Sequence, residues 1–408
     1  MKHLLKLISS LTILSTGILS VSCTNKNIKS KEDNKESNNS SKHNNSWTNS
    51  SIDKIEEIVS EDIKNKAIAA LEKVFKDQEE AFGTFHTHQE VLDQIKVYLK
   101  DSNIYHLNYL KLTNENENNT KLQVDNNSSG VNKLNISYFD KTITFIPKTV
   151  LKDEVKEKYD NNDELIQVGY KLDSNIKNIK MTTVQKNTKK VPKHLPLKIN
   201  SLDETFKGLK SEKIENLEKW DTKNIKFLTK TFADTDNFNQ SINSWDVSNV
   251  IDMTEAFAGA KKFNINLNSW DTSKVREMKG LFWEAENFNG DISKWKTASV
   301  EDMSVMFSGA KKFNQDISKW DTSRVLTMEG MFTDAELFNI NISKWNTSSV
   351  SSMKQMFENA KSFRQNLSSW NAKKVTHAKD FIKGIENNIS NDYLPQFNKS
   401  ILDMIKKR

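Results

Sequence analysis

Two histidines are the first side chains whose type and spacing suggest metal chemistry. His86 and His88 lie two residues apart in FHTHQE, and imidazole nitrogens are common zinc ligands. No third ligand stands at a recognised spacing from them in the sequence. The sequence therefore predicts an exposed histidine pair, not a metal site.

Aspartates that recur every 25 residues are a second set of possible ligands, because carboxylate oxygens suit calcium. The series is interrupted by Lys296, Asn346 and Asn371. Side-chain oxygens just ahead of a helix also accept hydrogen bonds from its free N–H groups. We therefore expect helix capping, and neither a metal nor a cofactor. The series is Asp221, Asp246, Asp271 and Asp321.

The single cysteine, Cys23, has the setting of a lipidation site. The N-terminus MKHLLKLISSLTILSTGILSVSC places two lysines before an apolar run, and small residues before the thiol, as in a secretory signal. Its end resembles a bacterial lipobox, in which the thiol is acylated, for example with palmitate, although Ser20 stands where an aliphatic residue is usual. We predict a lipoprotein signal peptide over residues 1–23 and a lipid anchor on the extracellular face of the cell membrane. The alternatives are an ordinary cleaved signal or a short membrane anchor.

The sequence does not indicate a site for catalysis or for nucleic acid. It has no Gly-rich phosphate loop, no nucleophile elbow and no thiol besides Cys23. Between Trp220 and Trp370 it has 18 Lys and Arg against 19 Asp and Glu, without the basic excess that binds phosphate backbones. We expect a non-enzymatic protein without a small-molecule substrate. The lesser alternative is an uncharacterised enzyme in residues 51–185.

The part of the chain before residue 202 divides by composition. The whole chain is 36% apolar with a mean hydropathy of −0.68, so only part of it can form a core. Residues 24–50 are rich in Asn, Ser and Lys and predict a disordered tether, residues 51–185 predict a small α+β domain, and residues 186–201 predict a linker. Within 51–185 the periodicity predicts helices over 52–74 and 91–99, a hairpin of 134–138 with 143–145, and a second strand pair, 165–172 with 179–184.

A 25-residue repeat fills the rest of the chain. Tryptophan recurs seven times at this spacing, and columns of Val, Met and two Phe follow in step. Such a period predicts a solenoid, in which each unit buries its apolar side against its neighbours. We predict an N-terminal cap over residues 202–219, six repeats over 220–369, and a degenerate repeat with a C-terminal cap over 370–408. The tryptophans are Trp220, Trp245, Trp270, Trp295, Trp320, Trp345 and Trp370.

Each repeat is expected to contain a short helix or a pair of helical turns and a short parallel strand. The spacing of apolar residues from Val275 to Phe288 suits the helix or turns, and the segment from Asp291 to Trp295 has the length of the strand. A polar column beside the Phe ladder is expected to hydrogen-bond the loop backbone; it consists of Asn239, Asn264, Asn289, Asn314 and Asn339.

The residues between the ladders change from repeat to repeat, as on the variable binding face of a repeat protein. We choose Trp283, Glu284, Glu286 and Arg276 as the candidate partner-binding surface, because Trp283 is an aromatic residue outside every ladder. The alternative is that the Trp283 ring lies over the neighbouring repeat.

The unit W-D-T-S-x-V-x-x-M-x-x-M-F-x-x-A-x-x-F-N-x-x-I-S-x-W resembles that of the BspA-like leucine-rich-repeat surface lipoproteins of mycoplasmas. The resemblance extends from about Lys193 to Ile389. It implies an extracellular lipoprotein that meets a host protein or glycan in adhesion, and it brings no enzymatic activity. The alternative is an antigenically variable shield without a dedicated ligand.

Overall fold

The structure is a computed structural model and describes residues 59–406. The expected signal peptide, Cys23, the tether and the first residues of the predicted first helix lie outside the described residues. Within residues 59–406, no helix is both long enough and apolar enough to cross a membrane.

Two capped helices and the first five of ten short strands form the first apolar core. Helix α1, Glu61–Asp77, begins after Ser60, whose side chain accepts a hydrogen bond from the Ile63 N–H. Helix α2, His88–Tyr98, begins with a capping box between Thr87 and Glu90, which satisfies two N–H groups at once. The strands are β1 Phe82–Gly83, β2 Leu110–Leu112, β3 Leu134–Tyr138, β4 Lys141–Phe145, β5 Val150–Leu151, β6 Glu154–Val155, β7 Lys158–Tyr159, β8 Leu165–Gln167, β9 Tyr170–Asp173 and β10 Asn178–Met181.

The strands form four small sheets. The predicted hairpin is confirmed as β3 and β4, which pair antiparallel from Leu134 opposite Phe145 to Tyr138 opposite Lys141. The second predicted pair is partly wrong, because its first strand is two strands with different partners: β8 pairs with β7, whereas β9 pairs with β6 and β10. The break falls at Gly169, where an added Cβ would lie 2.6 Å from the Glu157 backbone nitrogen.

The repeats stack on each other through their backbones, and we call residues 202–391 the repeat stack. Repeats 1 to 7 begin at the seven tryptophans, and positions are counted from the tryptophan as position 0. Position 7 of each repeat forms a parallel bridge with position 7 of the next, from Phe227 to His377. The same series of parallel bridges continues backward through Ser201 to Lys180 in β10. The sheet of β6, β9 and β10 is therefore joined to the first end of the series.

Residues 186–201 are packed, in contrast to the linker that their composition suggested. Val191, Leu195 and Ile199 are buried, and they belong to one apolar cluster that runs from β6 to α3, Lys399–Lys406. Bridges from Glu164 to Lys190 and from Lys190 to Glu215 join this segment to its neighbours on both sides. The segment is therefore a packed part of the fold that adjoins the repeat stack.

Within each repeat the chain makes consecutive tight turns, so the helical-turn alternative is the right one. In repeat 3, Leu281 N–H donates to the Met278 carbonyl, and Trp283 N–H to the Gly280 carbonyl. Positions 10 and 14 have positive φ in every repeat, which stops the turns from continuing as a helix. The alternate N–H groups point to the next repeat, as with Gly280 to Ser304 at 2.8 Å.

The strand expected from Asp291 to Trp295 is wrong. There the Trp295 N–H donates to the Ile292 carbonyl, and the Asp291 carboxylate accepts from the Ser293 N–H, so the segment is a turn. The strand-like contact falls instead on position 7, Glu277 in this repeat. The bridge involves a single residue in each repeat, so the sequence has no alternation of apolar and polar residues that would predict a strand there.

Three aromatic ladders fill the core of the stack. Tryptophan rings from Trp270 to Trp370 stack with neighbouring centroids 6.1–6.5 Å apart and planes within 7° of parallel. Each indole N–H donates to a carbonyl 28 residues earlier in the chain, as with Trp295 Nε1 to the Leu267 carbonyl at 2.9 Å. Inside a repeat the two phenylalanines also stack, with 3.7 Å between the centroids of Phe282 and Phe288.

Both ends of the stack differ from its middle. At the first end, the Phe206 ring stacks on Phe232, and Leu202 and Leu217 are fully buried. At the other end, the Phe381 ring stands edge-on to Phe357 at 85°, and Ile401 of α3 is buried against the same cluster. The helix α3 thus lies within the segment for which a C-terminal cap was predicted.

Candidate interaction surface

His86 is buried, so the expectation of an exposed histidine pair is wrong. Its Nδ1 accepts from the Gly83 N–H at 3.3 Å, and its Nε2 lies 3.2 Å from the Tyr170 hydroxyl, which donates to the Ala81 carbonyl. Burial lowers the pKa of His86 to about 4, so the neutral ring is part of the packing between the first core and β9.

His88 and the aspartate series do not form a metal site in the described residues. His88 is also buried, with Nδ1 3.7 Å from a Glu117 carboxylate oxygen, and burial lowers its pKa. Among residues 59–406, no three His, Cys, Asp or Glu side chains are grouped to hold a metal ion. The aspartates were expected to cap helices, but turns follow them, and they cap these turns instead. Asp271, for example, accepts a hydrogen bond from the Ser273 N–H at 3.2 Å. Asn346 caps Ser348 in the same way, which explains why Asn replaces Asp.

Polar side chains bind the repeats together, and the expected role of the Asn column is confirmed. Asn289 Oδ1, for example, accepts from the Asn314 N–H of the next repeat at 2.9 Å. The sequence reasoning missed a second column at position 2, where buried threonine hydroxyls donate to a carbonyl of the next repeat at 2.9–3.1 Å. Its members are Thr222, Thr272, Thr297, Thr322 and Thr347.

A cavity of about 290 Å³ lies between α1, the end of α2 and the segment before the stack. Ile166 and Val168 form part of its wall, and the Tyr98 hydroxyl is nearby. Its charged groups are already paired: Asp101 contacts both Lys193 at 3.3 Å and His194 at 3.4 Å.

Position 6 forms an exposed edge whose backbone is regular and whose side chains vary. The Arg276 N–H donates to the Ile251 carbonyl at 2.9 Å, and the Glu301 N–H donates to the Arg276 carbonyl at 2.8 Å. The flanking positions 5 and 8 are buried in every repeat. The side chains at position 6 are Lys226, Ile251, Arg276, Glu301, Leu326, Ser351 and Thr376.

Trp283 is exposed, whereas all seven ladder tryptophans are buried. It has 43% of its surface exposed, against 4% or less for the ladder. The equivalent residues in the adjacent repeats are small, Ala258 and Ser308, so the indole stands above its surroundings. No aromatic pair in the described residues includes Trp283, although its Cβ approaches Gly280.

The other three candidate residues lie at different positions of the repeat. Glu284 is exposed and its carboxylate extends over Gly309 in the next repeat. Glu286 is half-buried and forms an ion pair with Lys311 at 3.3 Å. Arg276 is exposed on the position 6 edge, and within residues 59–406 its guanidinium forms no ion pair. The structure thus places Trp283, Glu284 and Glu286 on one turn and Arg276 on a separate edge.

An acidic column beside this edge was also missed. Asp252, Glu277 and Asp302 occupy position 7 of consecutive repeats and pair through the parallel bridges. Burial, together with the carboxylates of Asp302, Asp252 and Glu301, raises the pKa of Glu277. The column can be recognised in the sequence only when position 7 is already known to form the parallel bridges between repeats.

The repeat stack matches a protein family. Residues 200–309 and 290–394 match the family described as Mycoplasma protein of unknown function, DUF285. The two overlapping regions span residues 200–394, just under half of the chain, and leave the first core outside. The match fits a mycoplasma surface repeat protein. No curated protein and no solved structure matches the chain.

Proposed function

We propose that this chain is a non-enzymatic, lipid-anchored surface protein whose repeat stack is a leucine-rich-repeat-like solenoid that binds a host protein or glycan. The observation that carries the proposal is the contrast between a constant core and a varied exposed edge. At position 5 every repeat has Ile or Val, whereas position 6 has basic, acidic, apolar and polar side chains. Repeat proteins present extended binding surfaces in this way.

The rigid backbone of the exposed edge favours binding. In repeats 2 to 6, from Ile251 to Ser351, each position 6 residue is hydrogen-bonded to the repeats before and after it, so its side chain starts from a fixed backbone. A partner then has less conformational freedom to remove on association. Trp283 adds a large, half-exposed aromatic surface of the kind that anchors protein partners.

The binding test compares the secreted part of the chain, residues 51–408, with a Trp283→Ala, Glu284→Ala, Glu286→Ala variant on host-cell surfaces. We expect saturable binding by the parent and a loss of about 30-fold in affinity for the variant, since truncated anchor residues cost about 2 kcal/mol or more. Ile176→Ala is the control, because Ile176 is an exposed apolar residue outside the stack. Absence of saturable binding by the parent would contradict adhesion and favour the antigenic shield.

The anchor is tested on Cys23 in cells. We expect radiolabelled palmitate to enter the full chain and not its Cys23→Ser variant, and the variant to leave the membrane fraction. The physical reason is that the apolar run before Cys23 is short for a span of about 20 residues, so a lipid must supply the attachment. Equal membrane partition of both chains, without label, would remove the lipid from the proposal.

A further inference from the structure

Position 16 alternates in charge along the whole stack. Acidic residues and lysines alternate through all seven repeats without interruption. Each lysine forms an ion pair with the acid of the preceding repeat, at 3.0 Å for Lys261 with Asp236 and 3.3 Å for Lys311 with Glu286. Lys361 with Glu336 repeats the pair at 3.0 Å. The column is Asp236, Lys261, Glu286, Lys311, Glu336, Lys361 and Glu386.

Over repeats 1 to 5, position 14 alternates between an acid and glycine, and repeats 6 and 7 have Asn359 and Gly384 there. All seven residues there have positive φ, from 55° to 81°. The acid of one repeat extends over the glycine of the next: Glu284 carboxylate atoms lie 2.8–2.9 Å from where a Gly309 Cβ would be. Asp234 covers Gly259 in the same way at 3.1 Å. The glycine thus provides the space that the preceding acid occupies.

Over repeats 2 to 6, position 10 alternates between a long or branched side chain and glycine, with the glycines in the odd-numbered repeats. Its glycines are Gly280 and Gly330, in the repeats that have an acid at position 14. The Glu255 side chain comes within 3.0 Å of a Cβ placed on Gly280, and Val305 within 2.9 Å of one on Gly330. Val305 has φ of 48°, unusual for a β-branched residue, and its side chain fills the space over glycines on both sides.

We infer that the structural unit of this stack is a pair of repeats, 50 residues long, although the aromatic ladders repeat every 25. Odd-numbered and even-numbered repeats present different surfaces to each other, and each is complementary to the other type. Interfaces stay matched when repeats of the same type are exchanged, or when the number of repeats changes by two. This inference does not depend on the proposed binding function.

A change of one repeat brings surfaces of the same type together. Removal of repeat 4, residues 295–319, would place Glu286 against Glu336 and Glu284 against Asp334. It would also place Gly280 against Gly330, with no side chain to fill the space between them. Like charges at close range repel, and unfilled space loses packing contacts.

The test exchanges the ten-residue segments that contain positions 10, 14 and 16, in the complete secreted chain. One variant exchanges residues 278–287 with 328–337, which come from repeats of the same type. The other exchanges 303–312 with 328–337, from repeats of opposite type. Both variants keep the length, the composition and the phenylalanine ladder. We expect the first to keep the urea midpoint of the parent and the second to unfold at lower urea, with a ratio of unfolded to folded chain about tenfold higher at the parent's midpoint. Equal midpoints for the two exchanges would overturn the inference.

A pair of point variants decides the matter if an exchanged chain does not fold. Lys311→Glu and Lys312→Glu change the net charge equally at adjacent residues, but only Lys311 belongs to the alternating column and has an ion-pair partner there. We expect Lys311→Glu to lower the midpoint more than Lys312→Glu, and 1 M salt to reduce the difference, because salt screens repulsion. Equal midpoints at low salt would refute a charge-matched pair of repeats.

Discussion

Phe282→Ala is expected to lower the free energy of unfolding of the repeat stack by about 3–5 kcal/mol. Phe282 is fully buried, with ring centroids of Phe257 and Phe307 at 5.6 and 5.8 Å in the neighbouring repeats. Phe288 stacks on it at 3.7 Å. Removal of the ring therefore opens a cavity that three repeats share, and the ladders above and below limit any collapse into it.

The adjacent residue supplies the control for this measurement. Trp283→Ala removes a larger side chain from the same turn, but 43% of that side chain is already exposed. We expect its cost to stay below about 1 kcal/mol, since surface substitutions rarely cost more. Urea unfolding followed by circular dichroism measures both variants. A Phe282→Ala chain that is as stable as Trp283→Ala would show that the ladder does not carry the stability of the stack.

The second large effect is a loss of stability in mild acid that originates at His86. The pKa of His86 is about 4 in the folded chain because burial disfavours the imidazolium, and the ordinary value is 6.5. Between these values the unfolded chain binds more protons than the folded chain, so stability falls as pH falls from 6.5 toward 4. A shift of this size is worth about 3 kcal/mol at the low end of the window. The stability is fully present above pH 6.5.

Unfolding measured at several pH values tests this origin. His86→Gln keeps a polar side chain near Tyr170 but cannot be protonated, so its stability should change less between pH 6.5 and 4.5. Some slope should remain, because burial also lowers the pKa values of His88 and His194. Glu90, whose pKa is lowered in the field of Lys198, contributes mainly below this window. An unchanged slope in His86→Gln would contradict the assignment.

The core of the stack could be predicted from the sequence because its ladders are independent of backbone detail. Tryptophan and phenylalanine at a fixed period must lie on each other whatever turns connect them, and all of them are buried. The position of the parallel rung could not be predicted in this way. A single bridged residue such as Glu277 has no periodicity of its own, and acidic side chains are not typical of strands.

The errors outside the ladders have physical causes. Residues 186–201 are basic and contain prolines, which indicated a linker, but their few apolar residues continue the core of β10. His86 and His88 have polar neighbours in sequence and buried partners from distant segments, such as Tyr170. At the candidate surface, the sequence identified Trp283 because it breaks a column, but it did not separate Arg276 from the other three residues. The alternation at positions 10, 14 and 16 is visible in the sequence, but only when every second repeat is compared.

The edge-on ring of Phe381 has a consequence for the solution state of the chain. A ladder built by pure translation has no natural end, so a bare terminal rung would accept another molecule and lead to open-ended filaments. Phe381 turns 85° away from the stacking plane of Phe357, and Phe397 meets it edge-on in turn. A face of this shape offers no parallel ring for an incoming Phe206. We expect the rotation of this phenylalanine, together with the packing of α3 on the same end, to disfavour head-to-tail polymerisation, which charge alone would not prevent in a nearly neutral array.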